Sequence, residues 1–482
     1  WTFKYGKECD ISLMSTTAEV NRARIEGTDV NFTLATHTGV SKKDAKASDP
    51  QPKMQLTPEE QEIYDGKKGD LLQKAMKTVV SYGEMFGATK LVTLTGTVHM
   101  AMSWGSPAII PFLDIFDKFI EAGMKTYKPF SSDPLPMDFE NNDPGPEKRA
   151  MNDKTYPVQK RLIETYLKIG LIDKDSFSCA SYLPEMNNAP KKGDMCCWSE
   201  SSAINFINSV LGARTNRNSM GIDMMCNILG KAPYFGLLTD EGRKAKWLIE
   251  IKTTKKPNPM MLGSAIGLKC VEDVPYIVGM KDFLKEVNET TVGYLKDLGA
   301  TTASNGALGL YHMEGITPEA IDQGRDLLVE GYQTYVIDDA ELERIFNQYP
   351  DLWPDHNKAP EKLFVGCPHL TLDQIRWATD KIEKGLTEAG LSKPALPVFL
   401  FAGKKVRDHF VEKYPEKAKY LQDVGVIITH QCPMMYLTTP LQSEELIVTN
   451  SNKCRVYSTA RFFFDDALIK VMTTGKISKD YV

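Results

Sequence analysis

The stretch Glu361-Lys362-Leu363-Phe364-Val365-Gly366-Cys367-Pro368-His369-Leu370-Thr371-Leu372-Asp373-Gln374 holds a strand, a turn and the start of a helix. Its first half is apolar and β-prone, and Thr371 with Gln374 forms the capping box that opens a helix. Cys367 lies in the turn, just ahead of a helix N-terminus, where the dipole and free N–H groups favour a thiolate. Two more cysteines repeat this placement. Val424-Gly425-Val426-Ile427-Ile428-Thr429 leads into His430-Gln431-Cys432-Pro433, and Asp175-Ser176-Phe177-Ser178 leads into Cys179. Folds of the α/β class gather ligands at the carboxyl ends of their strands. Thiolates collected that way suit a metal or an iron–sulfur cluster. Three ligands instead of four would leave one iron open for chemistry. A single turn cysteine is more often structural, so the repetition carries the reading.

Working outward, helices and strands alternate. Thr57-Pro58-Glu59-Glu60 supplies a cap, a proline at the first helical position and an acid at the third, and apolar residues at helical spacing run on to Val80. Strands are expected at 91–94, 246–251, 397–401, 425–428 and 446–449. Helices are expected at 111–122, 158–169, 200–211, 283–298, stopping at Gly299, and from about Asn452. Such alternation predicts an α/β protein with mainly parallel sheets flanked by helices. Residues 131–150, rich in Pro, Asp and Asn, read as a long surface loop. Residues 1–53 read as an N-terminal extension or linker, with a possible strand at 30–34. Residues 54–482 read as the catalytic region, built from two or three α/β units.

The chain has 482 residues, 42% hydrophobic and 25% charged, with a formal net charge of −5. That gives no basic field for nucleic acid or an anionic membrane surface, and no apolar run approaches the ~20 residues a spanning helix needs. The first residue is Trp1, which reads as a fragment or a processed form. Nine widely spaced cysteines without a secretory signal read as thiols or ligands in a reducing compartment, so the cytoplasm is expected. Most of them, Cys196 and Cys197 included, read as packing. No CxxC pair is present, which argues against zinc ribbons and thioredoxin-type motifs.

Three further strings could carry chemistry. Arg214-Thr215-Asn216-Arg217 follows a helix end, and two guanidiniums can hold a carboxylate or phosphate bidentately. Asn450-Ser451-Asn452-Lys453 lies between a strand and a helix and offers an anion pocket. His99 follows a strand and is a candidate catalytic residue, although a buried hydrogen-bonded histidine is the commoner case.

Together with Leu56-Thr57-Pro58-Glu59-Glu60, Ser199-Glu200-Ser201, the run Asn208–Arg217, Gly236-Leu237-Leu238, Gly366–Leu370 and Thr449-Asn450-Ser451, these strings resemble the aconitase X family over roughly residues 54–475. The resemblance implies an aconitase-like multi-domain fold and a hydro-lyase that uses an iron–sulfur cluster, [4Fe-4S] or a related form. Its cluster cysteines fall on Cys179, Cys367 and Cys432, and His369 joins the substrate-binding candidates. The implied substrate is a small hydroxy acid such as cis-3-hydroxy-L-proline or mevalonate 5-phosphate. Ser178 and Ser181 around Cys179, and His430-Gln431 before Cys432, depart from the family pattern beside the ligands, which leaves the substrate open. The resemblance also implies a small swivelling domain that carries the catalytic base. Nothing in residues 1–53 resembles it, so a separate small subunit is expected. The alternatives at this point are a non-catalytic iron–sulfur protein and a cluster-less binding module.

Overall fold

Lys362–Val365 is the central strand of a five-stranded parallel sheet in a computed structural model, which describes residues 51–101, 103–353, 355, 358–478 and 481. Val398–Phe401 and then Ile427–Thr429 lie on one side of it, Ile447–Thr449 and then Arg461–Phe462 on the other. The chain builds outward in one direction, returns past the centre and builds outward in the other. The switch point therefore falls between Lys362–Val365 and Ile447–Thr449, where open parallel sheets form a ligand crevice at their carboxyl ends. Side chains alternate across this sheet as the pleat requires. Leu363, Val365, Val398 and Leu400 join one buried cluster, while Phe364, Phe399 and Phe401 join another. A sheet buried on both faces needs apolar residues at every position, which is why Val398–Phe401 shows no polar alternation.

Two other parallel sheets are present among the described residues. In one, Val98–Met100 lies between Phe130–Ser132 and Cys197–Trp198. Parallel bridges Phe130–Leu171 and Ser132–Phe177 carry that order outward, so the segment entering Cys179 runs along the sheet. The other has the order His312–Met313, Pro275–Val278, Ala245–Ile251, Leu328–Ile337. Among the described residues, Leu91–Thr93 with Lys231–Pro233 is the one antiparallel strand pair. No helix among them is long and apolar enough to cross a membrane.

The α/β reading is met, and Thr57 forms its capping box with Glu60 ahead of Pro58. Four expectations change. The first helix ends at Tyr64 and resumes at Asp70, because Gly66 and Gly69 take positive φ between them. The helix expected at 283–298 begins later, at Glu289, behind the Asn288 cap, and runs through Gly299 to Asn305. Gly299 permits a close approach instead of a stop, since a Cβ there would lie 2.4 Å from Asn205 Oδ1 on the neighbouring helix. Residues 131–150 are not a surface loop. Ser131, Ser132, Asp138 and Asn142 are buried, and Pro146–Thr155 is helical. Their polar groups are satisfied inside, as when Ser132 Oγ donates to Met100 O and Thr429 Oγ1 donates to Asp138 Oδ2. The strand considered at 30–34 lies outside the described residues.

Candidate active site

Cys367 follows the central strand of the five-stranded sheet, and its position depends on Gly366. That glycine has φ +112°, and a Cβ on it would lie 2.5 Å from Phe401 O on the adjacent strand. Cys432 follows the edge strand and caps the helix Pro433–Thr438, while its own N–H donates to Leu135 O at 2.8 Å. Cys179 arrives from the other side, along the sheet that holds His99. His369 stitches the three segments together. Its backbone N–H donates to Cys179 Sγ at 3.2 Å, its Nε2 lies 3.3 Å from Gln431 O, and its Nδ1 lies 3.1 Å from Ser178 Oγ. A carbonyl only accepts, so Nε2 carries the proton and Nδ1 accepts from Ser178. Burial holds this imidazole down at about 3, so it is neutral.

The thiols themselves are costly to ionise. Burial pushes Cys367 and Cys432 up to about 12 and Cys179 well above the ordinary range. The compensating charge is Lys453, whose Nζ lies 2.5 Å from Glu200 Oε1 and 3.3 Å from Ser202 Oγ. Burial disfavours this ammonium, but Glu200 and the Cys367 and Cys179 thiols outweigh it and hold its pKa well above the usual lysine value. Glu200 caps the helix Ser201–Ser209 and accepts from Ser202 Oγ at 2.6 Å and Ala203 N at 2.7 Å. Burial pushes its carboxyl up, and Lys453 with these donors brings it below its ordinary value. Ser451 completes the wall, donating to Cys367 O and accepting from Cys454 N at 3.1 Å.

On the opposite sheet a directed chain ends in a carboxylate. Asn188 Nδ2 donates to Ser131 Oγ at 2.7 Å, which leaves the Ser131 hydroxyl to donate to His99 Nδ1 at 2.8 Å. His99 Nε2 then carries the proton and faces Asp133 Oδ1 at 3.1 Å. His99 also packs on Trp198, ring centroids 5.0 Å apart. Burial raises the Asp133 carboxyl, against the lowering effect of His99, and Glu200 and Lys453 are both close enough to act on it. Asp133, Glu200, Lys453 and the three cysteines thus share one neighbourhood, between the carboxyl ends of two parallel sheets.

The donor set fits a thiolate-held cluster. Three thiols converge, N–H groups of His369, Met434 and Met435 favour their ionised forms, and a buried ammonium offsets the charge. Their spacing is wider than a single ion needs. Among the described residues, the group of three ligand atoms that closes to within 4.8 Å is Cys197, Asp223 and Cys226.

The remaining candidates have partners within the chain. Arg214 donates to Leu238 O at 3.0 Å and Asp240 Oδ1 at 2.5 Å, and Arg217 lies 3.6 Å from Glu272 Oε2. Thr215 Oγ1 accepts from Trp198 N, and Asn216 bridges Leu237 N and Phe235 O. Asn450 donates to Asp465, and Asn452 donates to Tyr349 OH and Met260 O. Reading the sequence missed Asp133, hidden in a stretch taken for surface. It also missed the role of Glu200, where an acid directly ahead of a helical run was the available signal.

Comparison with known proteins follows the same lines. The aconitase X first-domain family model matches residues 53–241 and the second-domain model residues 245–347. The chain belongs to the aconitase X family. This aconitase X is 31% identical to the phosphomevalonate dehydratase large subunit of Thermococcus kodakarensis, over 84% of the chain and 95% of the relative. It is 27% identical to the phosphomevalonate dehydratase large subunit of Methanosarcina mazei, over 84% of the chain and 92% of the relative. It is 28% identical to the cis-3-hydroxy-L-proline dehydratase of Pseudomonas aeruginosa, over 58% of the chain and 46% of that protein. The crystal structure of Thermococcus kodakaraensis aconitase X in its holo-form superposes with a TM-score of 0.70 at 28% identity, covering 86% of this chain and 99% of that one. These relatives are dehydratases, and this aconitase X is a hydro-lyase.

Proposed function

We propose that the chain is the large subunit of a two-part iron–sulfur dehydratase, with Cys179, Cys367 and Cys432 holding the cluster. The observation that carries this reading is the meeting of three strand-end cysteines with the Lys453–Glu200 pair and Asp133 between two facing sheets. The substrate class is a small anionic hydroxy acid, of which mevalonate 5-phosphate and cis-3-hydroxy-L-proline are the first to try, given the relatives' names. We also take residues 54–482 as the catalytic region, 1–53 as an extension, and the cytoplasm as the compartment that keeps such thiols reduced.

A cluster with an open iron supplies a Lewis acid for the departing hydroxyl. The residues of the chain supply the rest. Lys453, fixed by Glu200 and Ser202, presents positive charge where a substrate anion and the developing charge on carbon must be met, and it needs no reorganisation to do so. Asp133, oriented by His99 and with its carboxyl raised by burial, is the group assigned to hold or move a proton for the departing hydroxyl. The base that takes the carbon-bound proton belongs to the small subunit. Arg214 and Arg217, which meet Asp240 and Glu272 in this structure, are the further groups assigned to the substrate's anionic ends.

Iron and sulfide analysis after anaerobic purification, followed by a dehydration assay with and without an aconitase X-type small subunit, tests the reading. Expected are bound iron and sulfide, turnover only with the partner, and loss of visible charge-transfer absorption in Cys432→Ser but not in Cys270→Ser. Full absorption in Cys432→Ser, or turnover by the chain alone, would refute it.

A further inference from the structure

Two other cysteines meet elsewhere in the fold. Cys197 lies on the strand Cys197–Trp198, and Asp223 and Cys226 lie on the helix Met220–Leu229 packed beside it. Residues three apart on a helix share a face, so the helix turns a carboxylate and a thiol together toward the thiol on the strand. One ligand atom from each residue falls within 4.8 Å of the other two, and none of the three residues is more than 1% exposed. The carboxylate is oriented from behind. Asn218 Nδ2 donates to Asp223 Oδ1 at 2.9 Å, and Tyr82 OH donates to Asn218 Oδ1 at 3.0 Å. Asp223 Oδ2, by contrast, is fully buried and meets no N–H or O–H donor, the weakly donating Cys197 thiol being what the carboxyl faces. A buried carboxylate oxygen with no stronger donor is costly, and native folds rarely leave one.

We propose that Cys197, Asp223 and Cys226 bind one zinc-class divalent cation, at a site separate from the three strand-end cysteines. Two thiolates and a carboxylate are within the donor chemistry of zinc, and a hydrogen-bonded carboxylate is the usual outer support of such a ligand. Calcium and magnesium need oxygen donors that the site lacks. Single-ion spacing sets it apart from the wider cysteine set, and Asp223-x-x-Cys226 is the sequence trace of the helical pair. Binding displaces one proton from each thiol, together with any proton the carboxyl holds. The ion would pin the strand Cys197–Trp198 to the helix, and that strand leads directly into Glu200 and carries the ring against which His99 packs. Its role is to hold these groups in register, without touching substrate.

The test uses the full chain purified anaerobically, given one equivalent of Zn2+, passed through gel filtration and analysed for zinc and iron. Expected is one zinc per chain in the wild-type protein, retained in Cys367→Ser although that variant loses its iron. Cys226→Ser and Asp223→Asn should hold at least tenfold less zinc while keeping iron, and Zn2+ should raise Tm in the wild-type protein but not in Asp223→Asn. The amide is isosteric, so Asp223→Asn carries the test even if Cys226→Ser folds poorly. A wild-type chain that retains no zinc, or zinc held equally by both variants, overturns the proposal. A Cys197–Cys226 disulfide in freshly isolated protein overturns it too.

Discussion

Lys453 and Glu200 are opposite charges taken out of water together, and a buried pair punishes the loss of one member more than the loss of both. Lys453→Met leaves the Glu200 carboxylate uncompensated, so urea denaturation should show a loss of about 3–5 kcal/mol. Adding Glu200→Gln should restore part of it, and a double variant as unstable as the sum of the two singles would contradict the pairing. Asp133 and His99 divide a task differently. In the proposed mechanism His99, whose Nε2 lies 3.1 Å from Asp133 Oδ1, acts through Asp133 as a positioning residue. Asp133→Asn should lower kcat on the order of 10²–10⁴-fold, the usual worth of a placed proton donor or acceptor, with little change in KM. His99→Gln, which can still donate to Asp133, should cost less and shift the pH profile of kcat. Equal losses in the two variants would place His99 at the chemistry itself.

At the scale of elements, the position of Cys367 rests on the glycine that ends its strand. Gly366→Ala meets both a positive φ and the Phe401 carbonyl 2.5 Å away. The turn must shift, and Cys367 with it, so the variant should bind less iron while its far-ultraviolet spectrum stays near native. Unchanged iron content would show that the turn adapts. The turn itself was legible in the sequence, because strand, glycine, cysteine and capping box are local signals. So were the strands at 91–94, 246–251, 397–401 and 446–449, which runs of apolar and β-prone residues mark within a residue or two. The helix over Gly299 was misread because a glycine that admits a neighbouring helix looks, in one dimension, the same as one that ends its own. Asp133 was lost for a related reason. Polar composition marks surface only until the fold supplies partners, and those of Ser131 and Asp138 come from segments 57 and 291 residues away. The pairing of Lys453 with Glu200 spans 253 residues, and no local pattern announces it.

The whole molecule carries a pH dependence set by buried groups. Burial lowers His369 to about 3 and His312 to about 4, from an ordinary 6.5. Both stay neutral in the folded chain while the unfolded chain gains protons below pH 6.5, so their contribution is present above that pH and lost as pH falls toward 4. Asp223, raised by burial to about 7, and Asp133 and Asp465, also raised by burial, work in the opposite sense, since their folded forms keep protons that the unfolded forms release. Each histidine by itself contributes a loss of up to about 1.4 kcal/mol per pH unit, which an uncharged replacement removes. Denaturant unfolding of the wild-type protein and His312→Gln at pH 6.5 and 5.0 should therefore show their stability difference moving against the wild type as pH falls. A difference that does not change with pH would mean that His312 is not buried as a neutral ring.

His369 also bears on how the centre is assembled. It already joins the Cys179, Cys367 and Cys432 segments through its backbone N–H and both ring nitrogens. The three segments are therefore tied by one side chain independently of their thiols. What differs among the thiols is access. Cys179 and Cys367 are 8% and 7% exposed, while Cys432 is the more open of the three. In the metal-free chain a small alkylating reagent should mark Cys432 first, and the two inner thiols should follow only as the packing around His369 loosens.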